Sequence, residues 1–392
     1  MKLKPAKIYL FLSLYLHWGI ILGILNGASL IYLGYESEII FIFNKFILFI
    51  FIGISFFIYL KGKSTIVSII GLVWVLLFLV TLFITPQVSV IAIKAIFYTL
   101  SQVIIVTLLF LESPNYEHIY RSFYPYIFIA VLYAIIQIAT YKLTQQYSMT
   151  FSYNILIPTI TAIFMVLKNK NPFYVIPLTF LLISNLICGS RGSFICIILS
   201  LIFAYVFLDS LKKKLKTFLL IILGGLFIIC LFPKILNIFS LIFPNVRTIN
   251  LILQGQYFYL SGRGQYYHYI LQKFFEAPFV FHGLYSDRIY LGKFFGRSDV
   301  DMIWGSYSHN FVLEVLFQFG IGGLIILLFI FIVIAHSIYL VKKRKDKYLQ
   351  IIYSICASYC LGQLLVSGSY LTATSFGAYL GLLLSIYTNK IK

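Results

Sequence analysis

Charged residues are scarce in this sequence, and acidic residues are the scarcest of them. Charged residues of both signs make up 10% of the 392 residues, with 11 Asp and Glu against 30 Lys and Arg, whereas hydrophobic residues make up 61%. The mean hydropathy is +0.99. A soluble domain carries about 25% charged residues, so this composition excludes a soluble enzyme or a soluble binding module. It predicts an all-α polytopic membrane protein, because helices satisfy their own backbone hydrogen bonds in lipid.

Cysteine is also scarce, and its placement argues against two classes of site. All five cysteines lie in apolar segments, and they are Cys188, Cys196, Cys230, Cys356 and Cys360. This pattern indicates neither a disulfide framework nor a metal knuckle. The triplet Asp299-Val300-Asp301 has the form of a metal-binding motif, but no nucleotide-binding feature accompanies it. The sequence therefore predicts no metal and no cofactor.

Long apolar runs, in contrast, are abundant. A helix needs about 20 apolar residues to cross the hydrocarbon layer. Twelve spans are predicted, at 8–33, 38–60, 64–84, 88–111, 122–141, 150–167, 172–189, 192–210, 217–232, 310–341, 349–366 and 370–388. The first and tenth are long enough to be tilted or broken. The simplest organisation is one membrane domain over residues 1–392, with a single large external loop at 233–308.

Basic residues mark one side of the membrane, because they fall in alternate connections between the spans. Nineteen of the 30 lie there: Lys2, Lys4, Lys7, Lys61, Lys63, Arg121, Lys168, Lys170, Lys212, Lys213, Lys214, Lys216, Lys342, Lys343, Arg344, Lys345, Lys347, Lys390 and Lys392. Cytoplasmic connections are enriched in Lys and Arg, so this side is predicted to be cytoplasmic and to hold both termini. The formal net charge of +19 then reflects topology and attraction to anionic membrane lipid, and argues against a nucleic-acid partner.

Two arginines stand on the opposite side, where the positive-inside tendency disfavours them. The first is Arg191, in a tight turn where Ser190 is predicted to cap the helix that follows. The second is Arg263, which precedes an amphipathic helix predicted near 264–277. A helix N-terminus combined with a guanidinium suits phosphate, so both arginines are predicted to bind an anionic ligand.

The external loop carries an excess of positive charge, with seven basic against four acidic residues between Pro233 and Ser308. Arg288 and Arg297 belong to this excess, and the sequence does not distinguish them. Both are predicted to contact substrate. Tyr266 and Tyr307 represent the many aromatic residues of the loop, whose apolar faces and polar tips suit sugar rings.

The loop leads to His309 and Asn310 at the mouth of the next helix. A histidine that is reachable from outside suits a general base, or a hydrogen-bond partner for a hydroxyl nucleophile. Asn310 is predicted to cap the helix, and Glu314 to orient or buffer the histidine from one turn further on. Both are also predicted to contact substrate. Glycines in the segment 319–323 allow the backbone to break there. A structural capping cluster with a buried acid is the alternative.

These motifs together resemble the O-antigen polymerase and O-antigen ligase superfamily. The resemblance rests on Ser190-Arg191-Gly192, on Arg263 early in the long loop, and on His309-Asn310 followed by Glu314. It implies a GT-C-like membrane glycosyltransferase on the outer face of the bacterial plasma membrane. It also implies a metal-independent reaction on glycan linked to undecaprenyl pyrophosphate, which would be a partner together with membrane lipid.

The resemblance further implies a role for three residues. Arg191 and Arg263 would hold the pyrophosphate of the glycosyl donor and stabilise its charge as it leaves. His309 would contact or deprotonate the acceptor hydroxyl.

Three functions follow from this interpretation. The short chain favours a polymerase for O-antigen, capsule or exopolysaccharide, which would be expected to work with a chain-length regulator and a flippase. A ligase that transfers glycan to lipid A core is the alternative. A lipid-linked oligosaccharide flippase would also have about twelve helices, but clustered arginine, tyrosine and histidine in a long external loop favour an enzyme.

Overall fold

The computed structural model describes residues 5–35, 37–62, 65–84, 99–111, 115–144, 148–167, 170–188, 190–207, 263–297 and 306–388. Every regular element within these ranges is a helix, which confirms the predicted all-α class for the described residues. The helices before the long gap are α1 (Pro5–Leu16), α2 (Trp18–Leu33), α3 (Glu38–Gly62), α4 (Thr65–Ile84), α5 (Ile105–Leu111), α6 (Tyr116–Ser122), α7 (Tyr124–Thr144), α8 (Met149–Asn154), α9 (Leu156–Leu167), α10 (Val175–Cys188) and α11 (Arg191–Val206). The helices after it are α12 (Arg263–Glu276), α13 (Ser286–Phe294), α14 (Phe311–Phe319), α15 (Gly322–Arg344), α16 (Lys347–Val366) and α17 (Thr374–Thr388). A π-helical turn, Leu100–Ile104, leads into α5, and a 3-10 turn, Pro172–Tyr174, leads into α10.

The chain divides into two compact units. Unit 1 comprises Met1–Phe46, Asn115–Tyr259 and Lys345–Gly362, and unit 2 comprises Ile47–Pro114, Leu260–Arg344 and Gln363–Lys392. The predicted organisation as one membrane domain with one external insertion stays a prediction.

Unit 1 is built on a close contact between α2 and α7. Gly23 and Gly27 stand one turn apart on α2, and a methyl group at either position would overlap the side chain of Tyr133 or Ile136 on α7. Small residues of this kind let two helix backbones approach closely in a membrane, where packing rather than water exclusion drives association.

Unit 2 has the same kind of close helix contact, here between α17 and the segment formed by the π-helical turn and α5. A methyl group at Gly377 or Gly381 would overlap the backbone of Val103 or Thr107. The hydroxyl of Thr107 donates a hydrogen bond to the carbonyl of Gly377 at 3.1 Å. The glycines therefore allow a contact in which side-chain and backbone polar groups meet directly.

Three short helices of unit 2 share a small apolar cluster. α12, α13 and α14 each contribute one residue that is at most 1% exposed: Ile270, Leu291 and Phe317. Fully burying an apolar side chain of this size contributes about 1.5–3 kcal/mol. The cluster fixes the relative positions of the helices that carry or adjoin the predicted site residues.

Several helices are long and apolar enough to cross a membrane. Within the described residues these are Tyr116–Thr144, Met149–Leu167, Gly322–Arg344 and Lys347–Val366, with a fifth if Ile8–Leu16 and Trp18–Leu33, bent by 47°, form one span. This bent pair corresponds to the first predicted span. These apolar helices identify a membrane protein. The count of twelve spans stays a prediction, because the span at 217–232 and part of that at 88–111 lie outside the described residues.

The tenth predicted span, 310–341, is divided at Gly320. This glycine has φ +58°, a left-handed conformation that disfavours other residues, and a methyl group there would lie 2.6 Å from the carbonyl oxygen of Pro278. α14 consequently ends at Phe319, and α15 begins at Gly322. The break separates the short helix after His309 from the long apolar helix.

Candidate functional site

Arg263 is the first residue of α12, and its side chain is half-buried. One guanidinium nitrogen, Nη1, donates a hydrogen bond to the carbonyl of Val366 at 2.6 Å. α12 is amphipathic, since Gln265 and His268 are exposed whereas Ile270 is buried. The anchored guanidinium therefore stands at the N-terminus of a helix, which is a favourable setting for an anion.

Arg297 follows α13 and is held against α12. Its Nη2 donates a hydrogen bond to the hydroxyl of Tyr266 at 2.6 Å, and its Nη1 lies 3.4 Å from the hydroxyl of Ser306. The ring of Phe295 stacks on that of Tyr266 with 4.5 Å between centroids. The guanidinium is half-buried and fixed by these contacts.

The ring of His309 lies near those of Tyr266 and Tyr307, and its backbone conformation is strained. Its φ is +54°, and its ring centroid lies 4.0 Å from that of Tyr307 and 5.6 Å from that of Tyr266. The Nδ1 atom is buried and has no hydrogen-bond partner among the described residues. A buried nitrogen without a partner costs free energy, so this atom is suited to meet a ligand hydroxyl.

The electrostatic surroundings of His309 connect it to the predicted arginines. Burial lowers the pKa of His309 from its ordinary value of 6.5 to about 3. The positive charges of Arg263, Arg288 and Arg297 add to this shift, whereas a hydrogen bond with the backbone of Ser367 opposes it. The imidazole is therefore neutral at physiological pH. A neutral imidazole accepts a hydrogen bond through its unprotonated nitrogen.

Tyr307 and Asn310 flank His309, and both side chains have protein partners. The hydroxyl of Tyr307 donates a hydrogen bond to the carbonyl of Ser367. The side-chain oxygen of Asn310 accepts hydrogen bonds from the amides of Val312 and Leu313 at 3.0 and 3.3 Å, which confirms the predicted cap of α14. Substrate contact by these two residues stays a prediction.

Arg288 differs from Arg297 in being buried. Only 1% of it is exposed, and its Nη2 donates a hydrogen bond to the hydroxyl of Ser369 at 3.1 Å. Its guanidinium carbon lies 5.0 Å from the ring centroids of both Tyr285 and Tyr307. Arg288 thus belongs to the interior of unit 2, where it supports the residues around it, and its predicted contact with substrate stays a prediction.

Glu314 is fully buried beside this arginine. Its Oε1 accepts a hydrogen bond from Ser369 at 2.5 Å, and its Oε2 has no hydrogen-bond partner among the described residues. Burial and the carboxylate of Asp287 raise the pKa of Glu314 above its ordinary value, and Arg288 opposes this shift. One arginine charge therefore faces two buried acid groups. The sequence predicted that Glu314 would orient His309, whereas in the structure its Oε1 accepts a hydrogen bond from Ser369.

Three polar residues of this interior were missed by the sequence analysis. Asp287 accepts hydrogen bonds from the side chain of Gln318 at 3.0 Å and from the amide of Ser308 at 3.1 Å. The hydroxyl of Tyr370 in turn donates to the side-chain oxygen of Gln318 at 2.5 Å. A glutamine within the apolar stretch that follows Glu314 in α14 was the signal that could have indicated a buried polar partner.

Arg191 lies in unit 1, as the first residue of α11. Ser190 precedes it with extended backbone, but its side chain makes no capping hydrogen bond, so the predicted cap is wrong. The backbone of Ser190 is held instead, since its amide donates to Ser152 at 2.5 Å and its carbonyl accepts from Ser193 at 2.7 Å. The side chain of Arg191 and the triplet at 299–301 lie outside the described parts of the structure.

Comparison with known proteins assigns the segment that contains these residues. No curated protein and no solved structure matches the chain. Residues 172–328 match the Wzy_C family model, described as O-antigen ligase. The matched range begins before Arg191 and ends after Glu314, so it includes Arg263 and His309. Residues 172–328 are therefore similar to the Wzy_C (O-antigen ligase) family, which is consistent with the O-antigen polymerase and ligase superfamily.

Proposed function

We propose that this protein is a polysaccharide polymerase of the plasma membrane. It transfers a glycan from a lipid pyrophosphate, such as undecaprenyl pyrophosphate, to a sugar hydroxyl of another lipid-linked repeat on the outer face of the membrane. The observation that carries the proposal is a neutral His309 with an unpartnered Nδ1, placed within the field of Arg263 and Arg297. A hydroxyl acceptor and an anionic leaving group are the two species that such a site suits.

The proposed role of the arginines is to bind the pyrophosphate of the glycosyl donor. When the bond between the anomeric carbon and the phosphate oxygen breaks, its electron pair leaves with the pyrophosphate, whose negative charge increases. The half-buried guanidiniums of Arg263 and Arg297 are fixed by protein contacts, so little reorganisation is needed to stabilise that charge. The family resemblance assigns Arg191 to the same task, and this assignment is part of the proposal.

The proposed role of His309 is to orient the hydroxyl group of the acceptor sugar. Its unpartnered nitrogen accepts a hydrogen bond from the sugar hydroxyl, which orients the oxygen for attack on the anomeric carbon. Because the pKa of His309 is about 3, the imidazole is a weak base. Orientation of the hydroxyl is therefore its main contribution. Once the glycosidic bond has formed, the now acidic proton on its oxygen passes to solvent water.

A ligase is the second candidate, and the description of the matching family model favours it. A polymerase and a ligase use the same glycosyl donor and differ in the acceptor. The proposed roles of Arg263 and His309 are the same in both reactions.

Disruption of the gene, followed by analysis of surface glycan and lipid-linked intermediates, tests the proposal. We expect single-repeat products in the disrupted strain and in strains that carry Arg191→Ala, Arg263→Ala or His309→Ala. The exposed Lys293 on α13 provides the matched control, and Lys293→Ala should make long polymer. All variants must be present in the membrane at the wild-type level.

The intermediates distinguish the alternatives. Long polymer in all three variants would contradict the proposed site. Long chains stranded on the carrier lipid in the disrupted strain would identify a ligase. Single repeats that accumulate on the cytoplasmic leaflet would identify a flippase.

A further inference from the structure

A fully buried carboxylate lies directly behind the segment that carries His309. Asp287 belongs to α13 and is 0% exposed. Its Oδ2 accepts a hydrogen bond from the backbone amide of Ser308 at 3.1 Å. The residue after Ser308 is His309, so this bond fixes the backbone immediately before the imidazole.

The other oxygen of Asp287 is held by α14. Oδ1 accepts a hydrogen bond from Nε2 of Gln318 at 3.0 Å, and Oε1 of Gln318 accepts one from Tyr370 at 2.5 Å. The backbone carbonyl of Gln318 accepts hydrogen bonds from the amides of His282 and Gly283 at 3.0 and 3.3 Å. Gln318 is therefore fixed at both ends, and it orients the carboxylate toward Ser308.

The backbone at His309 needs such support. Its φ of +54° is a conformation that residues other than glycine rarely adopt, and it persists only where the surroundings impose it. On one side of His309, Asp287 holds the amide of Ser308. On the other side, the hydroxyl of Ser308 donates to the carbonyl of Asn310 at 3.1 Å, and Asn310 caps α14.

We infer that Asp287 is the positioning residue of the site, which holds His309 in place through the amide of Ser308 and is itself oriented by Gln318. This inference rests on the proposed function of His309. A competing role for Asp287 is that of a simple counter-charge to its neighbour Arg288. The two roles require different properties of the side chain at position 287. Positioning requires a hydrogen-bond acceptor, whereas a counter-charge requires the negative charge.

Three variants separate these roles. Asp287→Ala removes both the acceptor and the charge. Asp287→Asn removes the charge but keeps an acceptor for Ser308, although its amide nitrogen then faces the amide nitrogen of Gln318. The double variant Asp287→Asn/Gln318→Glu reverses donor and acceptor between the two side chains, so it restores their mutual hydrogen bond, keeps acceptors for Ser308 and Tyr370, and moves the negative charge to position 318.

The transfer rate should follow the hydrogen bonds. A displacement of about 1 Å at a reacting group costs about 100-fold in rate, so kcat of Asp287→Ala should fall by about that factor, with KM for the glycosyl donor unchanged. Asp287→Asn should have an intermediate kcat, and the double variant should approach the wild-type value. Gln272→Ala, on the exposed face of α12, is the control for substitution of a polar residue in the same unit.

Two results would overturn the inference. One is Asp287→Asn falling as far as Asp287→Ala while Gln318→Met, which keeps the charge of Asp287, retains the wild-type kcat; this combination would identify a counter-charge. The other is wild-type kcat in Asp287→Ala. If Asp287→Ala does not accumulate, Gln318→Met keeps the inference testable, because it retains the charge of Asp287 and loses the amide that orients it. Its kcat should fall about 10-fold, or 1.4 kcal/mol in activation free energy, and an unchanged kcat would contradict the inference.

Hydrogen exchange provides a readout that does not depend on activity. The amide of Ser308 should exchange faster in Asp287→Ala than in the wild-type protein and the double variant. Equal exchange in all three would overturn the inference even if transfer is observed. Conversely, an inactive wild-type protein with this exchange pattern would contradict the proposed function and leave the positioning of the segment intact.

Discussion

Arg288 and Arg297 stand nine positions apart in one segment of unit 2, yet the structure gives them different surroundings. Arg288 is 1% exposed and hydrogen-bonded to Ser369. Arg297 is half-buried and hydrogen-bonded to Tyr266. Both contribute positive charge that lowers the pKa of His309.

The difference between them follows from burial. A buried arginine must be balanced by nearby acids, and Arg288 lies beside Asp287 and Glu314, whose pKa values its charge lowers against the effect of burial. A half-buried arginine keeps donors within reach of a ligand, and Arg263 resembles Arg297 in this respect. We therefore expect the buried arginine to govern stability and the half-buried pair to govern activity.

The largest effect is expected on the transfer rate when a half-buried arginine is removed. Arg263→Ala should lower the transfer rate about 10²–10³-fold, the range found when one charge-stabilising donor is removed from an active site. The unfolding temperature should change little. The measurement is the rate of glycan transfer by purified protein, with Lys293→Ala as the matched control. A rate within twofold of wild type would remove Arg263 from the site.

Arg288→Ala should show the opposite behaviour. Removing the cation leaves buried acid groups without their partner, which costs about 3 to 5 kcal/mol of unfolding free energy. Denaturant unfolding in detergent measures this loss. Arg121→Ala, which breaks an exposed pair with Glu117 on α6, should leave the unfolding free energy unchanged. If Arg288→Ala is as stable as Arg121→Ala, the distinction between the two kinds of arginine fails.

The break between α14 and α15 offers a smaller effect on stability. Gly320→Ala should destabilise the protein by about 1–3 kcal/mol, because alanine is strained at φ +58° and its methyl group would meet the carbonyl of Pro278. Gly322 begins α15 and has open space where a methyl group would be added. Gly322→Ala should therefore be neutral or slightly stabilising. Equal effects of the two substitutions would show that the break is not fixed at Gly320.

The smallest effect is expected from pH. The pKa of His309 is lowered to about 3, so the imidazole should stay neutral, and active, as the pH falls through 6.5. The pH profile of kcat/KM, which reports on the free enzyme, should lack an ionisation near 6.5. His309→Gln, which keeps a hydrogen-bond acceptor, should be more active than His309→Ala. A loss of activity centred near pH 6.5 that disappears in His309→Gln would show that the histidine acts as a base.

Local signals in the sequence were sufficient for part of this site. The helix of residues 263–276 follows from its periodicity, and the cap at Asn310 and the break at Gly320 follow from residue types that favour such positions. Each of these features depends on neighbours within a few residues along the chain.

The remainder depends on contacts that are distant in the chain. Asp287 and Gln318 are 31 residues apart, and Gln318 and Tyr370 are 52 apart. No local pattern distinguishes the buried Arg288 from the half-buried Arg297, because tertiary packing alone decides which guanidinium is enclosed. The predicted cap by Ser190 failed for the same reason, since the backbone of Ser190 is held by Ser152, 38 residues away.

The most direct test of the account is a transfer assay with purified protein in liposomes, supplied with a polyprenyl-pyrophosphate-linked repeat as both glycosyl donor and acceptor. The measurement is the amount of free polyprenyl pyrophosphate released and the number of glycosidic bonds formed. We predict one released polyprenyl pyrophosphate for each new bond with the wild-type protein, and a rate of both products at least about 100-fold lower with Arg263→Ala or His309→Ala. Bond formation at the wild-type rate by both variants, or no release by the wild-type protein with polymerase and ligase acceptors alike, would contradict the account.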